Sequence, residues 1–399
     1  MISGFLAISG DRFDDVCELH ESGLSGFCSA TWEHGRDVPV VFRLIHEDLL
    51  VMFIHSVRCC WLLLCCLPLL PTAVANTRTV QLREATTGTE ASLRGVAVAG
   101  KNEAWVTGSK GTVMRTLDAG KTWIRISVPN SDELDFRDVE IPVAGTVLLM
   151  AAGPGKASKL LRSVDAGKSW ELVLQNLNPD GFFDGMDFDE TGKHGVLYGD
   201  PINGRLDLHV THDGGATWKP MPMSSRPALK EGEYGFAASG TGITINNSVV
   251  YVATGGAVAR VWRSADWGQS WNVATTPVRA GDASSGIFSM GFLDANVGLV
   301  VGGDYTQPEL SEGNLASSTD GGKTWVALPK VKLEHKACLR SLGQNGVVAC
   351  GRTGVNISWD AGKTWQPVDS GGYYTVAVDD GARIAYFAGS DGRVAIMQW

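Results

Sequence analysis

One eight-residue phrase recurs six times in this 399-residue chain, and it limits what the chain can fold into. The phrase is [Ser/Thr]-x-Asp-x-Gly-x-[Thr/Ser]-Trp. Its copies span Thr116–Trp123, Ser163–Trp170, Thr211–Trp218, Ser264–Trp271, Ser318–Trp325 and Ser358–Trp365. All six match at every defined position, including the aspartates Asp118, Asp165, Asp213, Asp266, Asp320 and Asp360 and the tryptophans Trp123, Trp170, Trp218, Trp271, Trp325 and Trp365. The chemistry is that of a tight β-hairpin turn. Asp bonds backbone N–H groups just downstream, Gly supplies a positive φ, and the hydroxyls tie the turn together. The Trp then buries a large ring between neighbouring sheets. The boxes are therefore structural.

Alternating apolar residues flank each copy, such as Thr112-Val-Met-Arg-Thr before the first and Trp123-Ile-Arg-Ile after it. Runs of period two are strands. Successive tryptophans are 47, 48, 53, 54 and 40 residues apart, the size of a four-stranded propeller blade. After the sixth box three strands remain, at 373–378, 383–388 and 393–398, and an N-terminal strand at 79–84 supplies the fourth. Pairing the chain ends closes a ring and removes its exposed edges. The reading is an all-β, seven-bladed β-propeller of four-stranded blades, with six blades and a loose end as the alternative.

The boxes look like the Asp-box (BNR) repeat. The wording around them resembles the secreted bacterial group related to the photosystem II stability/assembly factor. Gly111-Thr-Val-Met-Arg-Thr, Asp135-Phe-Arg-Asp-Val, Phe182-Phe-Asp-Gly-Met, Gly235-Phe-Ala-Ala-Ser-Gly-Thr, Gly286-Ile-Phe-Ser-Met and Val301-Gly-Gly-Asp-Tyr carry that likeness, over roughly residues 79–399. The resemblance implies a non-enzymatic binder of a membrane-protein subunit, although members often bear names such as oxidoreductase or glycosyl hydrolase.

Ahead of the repeats, residues 52–75 read as a signal peptide. Met52 can start a chain, Arg58 adds positive charge, Cys59 to Leu70 is an apolar run, and Ala73-Val74-Ala75 is a small-x-small cleavage site. Cleavage after Ala75 leaves residues 76–399 as a periplasmic or secreted propeller. Residues 1–51 then read as an unstructured extension from a start codon placed too far upstream, with a cytoplasmic extension on an anchored protein as the rival reading.

Function in a propeller sits at the mouth of the central channel, lined by the inner strand of each blade. Those strands contain Arg94, Arg137 with Asp138, Asp184 with Asp187, Ser239, Phe288, Arg340, and Tyr373 with Tyr374. A guanidinium suits a carboxylate or phosphate, and inside a strand it needs a partner or water. Two outcomes follow: a belt of ion pairs closing the channel, or an anionic-ligand or acidic-peptide site formed by Arg94, Arg137, Asp184, Arg340 and Tyr374. The partner expected is an envelope or membrane protein.

A sialidase-type glycoside hydrolase is the alternative. It would use the three arginines on a substrate carboxylate, and Tyr373 or Tyr374 as nucleophile activated by Glu231 or Glu233. The chain departs from that pattern, because no Phe/Tyr-Arg-Ile-Pro precedes the first box. Neither cofactor nor metal is expected. No Gly-x-Gly-x-x-Gly opens a helix, and the cysteines lack metal-type spacing. A formal charge of −9 argues against nucleic acid. Cys338 and Cys350 mirror each other about Gln344, which would set them opposite one another in a hairpin, either as a cross-strand disulfide or as two buried thiols.

Overall fold

The computed structural model describes residues 80–399 and two short strands nearer the N-terminus, Ser25–Cys28 and Val40–Arg43. Those two strands pair antiparallel inside the segment read as unstructured. The second, Val-Val-Phe-Arg, is rich in β-branched and aromatic residues, which suit a strand. The signal-peptide segment, with its cleavage site, lies outside the described residues.

From residue 80 onward the chain forms seven antiparallel blades of four strands, the fifth extended to a six-stranded sheet by the short strands Glu233–Tyr234 and Gly255–Gly256. Their inner strands are Leu93–Val98, Phe136–Glu140, Phe183–Phe188, Ile243–Asn246, Ser285–Phe292, Cys338–Ser341 and Thr375–Asp379 in blades 1 to 7. Blade 7 is completed by the first strand of the propeller. Gln81–Thr86 pairs with Arg393–Gln398 over six residues and forms the outermost strand. Seven blades, not six, is the count, and the closing strand begins two residues later than the sequence pattern placed it.

Burial follows the ring. Seven apolar clusters each lie between two adjacent sheets rather than in one central core. Val96, Val106 and Met114 of blade 1, for example, meet Ile384, Tyr386 and Ile396 of blade 7. Each box bridges such an interface. In the first box Asp118 accepts from the Thr122 backbone N–H at 2.8 Å and the Thr122 hydroxyl at 2.6 Å, while Gly120 N–H donates to Thr116 Oγ1 at 2.9 Å. The same three contacts recur in the other five, as at Asp213. The box glycine is required twice over: Gly215 sits at φ 77°, and a Cβ there would lie 2.5 Å from Leu148 of the preceding blade. Trp218 and Trp325 are buried, and the other four box rings are half-buried against the same interfaces.

Strand polarity fixes where everything else sits. All seven inner strands run the same way along the channel, so the turn after each third strand, which holds the box, lies at the end where the inner strands finish. The turns between second and third strands lie at the opposite end, where the inner strands begin.

Candidate functional site

Four blades share a local distortion at the start of their inner strands. The pairing slips by one residue at Leu93/Gly95, Phe136/Asp138, Phe183/Gly185 and Ile287/Ser289. The extra residues are Arg94, Arg137, Asp184 and Phe288. A β-bulge of this kind bends the strand and re-aims the side chain that has no opposite number. Three of the four bulged side chains, Arg94, Arg137 and Phe288, turn into a cavity of about 390 Å³ at this end of the channel.

Arg94 makes no hydrogen bond or ion pair among the described residues. Its guanidinium lies 4.4 Å from the centre of the Tyr374 ring, and burial, followed by the neighbouring Arg137, holds its pKa below the usual arginine value. Arg137 is better supplied: Nε meets Asp135 at 2.8 Å, and Nη1 donates to the Ala237 carbonyl at 3.2 Å. A third arginine completes the group. Arg352, in the turn between the second and third strands of blade 6, is exposed and donates to the Tyr305 carbonyl at 3.5 Å. The facing wall is apolar. Phe236 stacks on Phe288 with centroids 4.0 Å apart, and His335 stands edge-on to Phe288. Phe236 arrives on the long connection into blade 4, part of which adds strand Glu233–Tyr234 to the blade 5 sheet. Three cations, one paired carboxylate and an aromatic wall make a site for an anion with an apolar neighbour.

Residues 74–181 match the family model described as photosynthesis system II assembly factor YCF48. Among solved structures, YCF48 bound to a D1 peptide superposes with TM-score 0.59 at 15% identity, covering 80% of this chain and 97% of that one. The chain is a BNR-type β-propeller resembling the photosystem II assembly factor. YCF48 from Cyanidioschyzon merolae superposes with TM-score 0.54 at 17% identity, covering 79% and 98%. The WD40 β-propeller domain of Doa1 does so with TM-score 0.54 at 12% identity, covering 80% and 97%. At such identities the structural likeness is one of fold. No curated protein matches the sequence.

In this BNR-type propeller the predicted residues divide. Arg94, Arg137 and Tyr374 come together at one mouth, whereas Arg340 does not join them. Arg94 and Arg137 occupy the first inward-facing level of their strands, and Arg340 occupies the last, alongside Glu140 and Asp187 around a second cavity at the box end. A rise of about 3.3 Å per residue separates such levels by roughly 10 Å. Asp184 is also displaced. It is buried, with Oδ2 so close beneath Gly235 that a Cβ there would be 2.3 Å away. Burial, then neighbouring Asp200, pushes its pKa well above the carboxylate range, with Arg137 opposing.

The ion-pair belt does not form either. Among the described residues neither Arg94 nor Arg340 has a carboxylate within 4 Å, and Arg137 pairs with Asp135 rather than Asp184. What fills the channel between the mouths is a level of hydrogen bonds from blade to blade. Asp138 accepts from Met186 N–H, Ser289 from Leu339 N–H and Cys338 Sγ from Val376 N–H, at 2.9, 2.9 and 3.4 Å. That use of Cys338 bears on the disulfide. The register sets Cys338 opposite Cys350 as expected, but both are free thiols, the Cys338 sulfur being taken up by its neighbours across the channel.

The geometry needed for a tyrosine nucleophile is not assembled. Tyr373 is buried with its hydroxyl 3.3 Å from Asp369. Glu233 is held by Arg260, Thr254 and the Lys230 N–H, and no hydrogen bond joins it or Glu231 to either tyrosine. Sequence reasoning missed Arg352, Phe236 and His335. The Gly351-Arg-Thr-Gly354 turn held a signal for Arg352, since a turn between the second and third strands must lie at the mouth where inner strands begin.

Proposed function

We propose that this propeller is a non-catalytic binding or assembly module, which holds a carboxylate-bearing peptide segment of a partner protein at the mouth formed by Arg94, Arg137 and Arg352. The observation that carries the reading is Arg94, an inward-aimed guanidinium with no anionic partner, beside two more arginines and an aromatic wall. A group of like charges in a partly desolvated mouth is expensive alone and is relieved by an incoming anion. YCF48, which shares the fold, has been solved with a D1 peptide bound, and that supports a protein partner here.

The partner in this reading is an envelope or membrane protein, and the propeller reaches it by export. The apolar run before Ala73-Val74-Ala75 supports cleavage after Ala75 and a periplasmic or secreted location. N-terminal sequencing of the protein recovered from cells tests the cleavage, and a start other than Asn76 overturns it.

Crosslinking in cells, followed by capture and mass spectrometry, tests the function. A single envelope protein recovered with the native chain and lost with Arg94→Ala/Arg137→Ala supports the proposal. Equal recovery by both forms removes the mouth from the interaction.

A further inference from the structure

The opposite end of the channel holds a second set of charges that the arginine mouth leaves unused. There the inner strands finish around a funnel of about 340 Å³, toward the small end of the range for small-molecule sites. Its charged groups stand on opposite sides of the ring, with Glu140 and Asp187 on blades 2 and 3 and Arg340 on blade 6. All three line the funnel and are partly exposed. Among the described residues Arg340 has no carboxylate within 4 Å, and its guanidinium donates only a long hydrogen bond, 3.4 Å, to the Leu339 carbonyl. Asp187 accepts from the N–H groups of Phe188 and Ile245 at 2.9 and 2.6 Å. The Glu140 carboxyl has no such donor. Burial, then Asp138 and Asp187, pushes its pKa well above the usual carboxylate range, with Arg340 opposing. Burial pulls the Arg340 pKa down, but Cys338, Asp187, Glu140 and Asp138 together hold it above the ordinary value. A firm cation therefore faces, across a gap, a carboxyl that lacks a counter-charge.

Opposed charges held apart select what can fill the space between them. A simple cation would be repelled by Arg340, and a simple anion by Asp187. A wholly apolar group would leave both signs unpaired in a partly desolvated space. A zwitterion satisfies both sides. Its carboxylate matches the guanidinium fork, and its ammonium supplies the counter-charge that Glu140 lacks and favours the ionised form of that carboxyl. The rim adds an apolar requirement, because Val98, Ile141, Phe292 and Val378 lie partly exposed at the strand ends around the same funnel. We propose that this funnel is a site for a free α-amino acid with an apolar side chain, its carboxylate on Arg340, its ammonium beside Glu140 and Asp187, and its side chain against the rim. The site does not depend on the peptide mouth, since the hydrogen-bonded level at Asp138, Ser289 and Cys338 lies between the two.

The test is calorimetric titration of the native protein with L-leucine, with isocaproate, which lacks the ammonium, and with isoamylamine, which lacks the carboxylate. Leucine is expected to bind, and each analogue to bind about tenfold more weakly or worse, the worth of one hydrogen bond between charged groups. The three ligands are compared on the native protein, so that result does not depend on how any variant folds. Arg340→Gln should then abolish leucine binding, and Arg340→Lys should keep part of it. An analogue that binds as tightly as leucine overturns the zwitterion site, and so does leucine binding that survives Arg340→Gln. Leucine binding lost with Arg94→Ala/Arg137→Ala would put the amino acid at the other mouth and overturn the funnel. No binding of leucine at millimolar concentration overturns the site as well, and leaves the arginine mouth as it was.

Discussion

Carboxylates in this molecule are driven in opposite directions by their surroundings. At the box turns the donors win: the Thr122 hydroxyl and N–H hold Asp118 at a pKa of about 2, and Asp266 and Asp320 are held at about 2 by equivalent pairs. Folding lowers these pKa values, so their contribution to stability is complete above the unfolded value near 4 and is lost as pH falls toward 2. Inside the channel burial wins. It raises Asp138 to about 7 despite the N–H groups of Met186 and Val139, and Asp187 to about 6. There the folded state keeps a proton that the unfolded chain gives up, so stability declines as pH rises from about 4 to about 7. Asp138→Asn should flatten that decline, as measured by denaturant midpoints at a series of pH values. Unchanged pH dependence would mean that Asp138 is ionised throughout. Arg94→Ala, by contrast, removes a partly desolvated cation that has no ion pair and is repelled by Arg137, and it should leave the protein as stable as the native form or more so, which thermal unfolding can check.

At the scale of elements, the hairpin turn and the bulge carry separate duties. The box turn docks each blade onto the one before it, and its glycine is the least replaceable position. Gly215→Ala asks for a positive φ with a side chain and pushes a methyl into Leu148. The combined cost should be about 2–4 kcal/mol, read from the urea midpoint; a loss below about 1 kcal/mol would show that Leu148 yields freely. Asp213→Ala removes only hydrogen bonds at an exposed turn and should cost less. The bulges act at the other end of the molecule. They were not visible in the sequence, because a bulge is a property of two strands in register. An alternating pattern along Leu93–Val98 or Phe136–Glu140 says nothing about the residue that drops out of pairing. Arg94, Arg137 and Arg340 all belong to inner strands, but the sequence pattern does not show that Arg340 sits at the opposite end of its strand from the other two.

For the whole molecule, stability depends on ring closure. Every apolar cluster spans two blades, so opening one junction exposes two sheet faces. The junction between first and last strands is the single place where closure relies on chain ends meeting. Truncation to residue 87 removes Gln81–Thr86 and uncovers Arg393–Gln398 as a free edge. Such a protein should unfold at a lower temperature and associate as its concentration rises, which light scattering would detect. A truncated chain that stays monomeric with native stability would show that three strands suffice for blade 7.

Six copies of one turn, at blade-sized spacing, dictate the propeller, and the strands at either end of the repeats point to a seventh blade closed by pairing them, with six blades as the alternative until the ring is seen. That information is local and repetitive: each box specifies its own turn, and each alternating run its own strand. The site is not local. Arg94, Arg137 and Arg352 lie on three blades, Phe236 comes from a connection, and His335 precedes an inner strand; they meet because the ring brings the beginnings of the inner strands to one end. The level at which a side chain enters the channel is set by register, by a bulge and by strand direction. The sequence shows that Arg340 faces inward, but only the folded ring decides that it faces the other mouth.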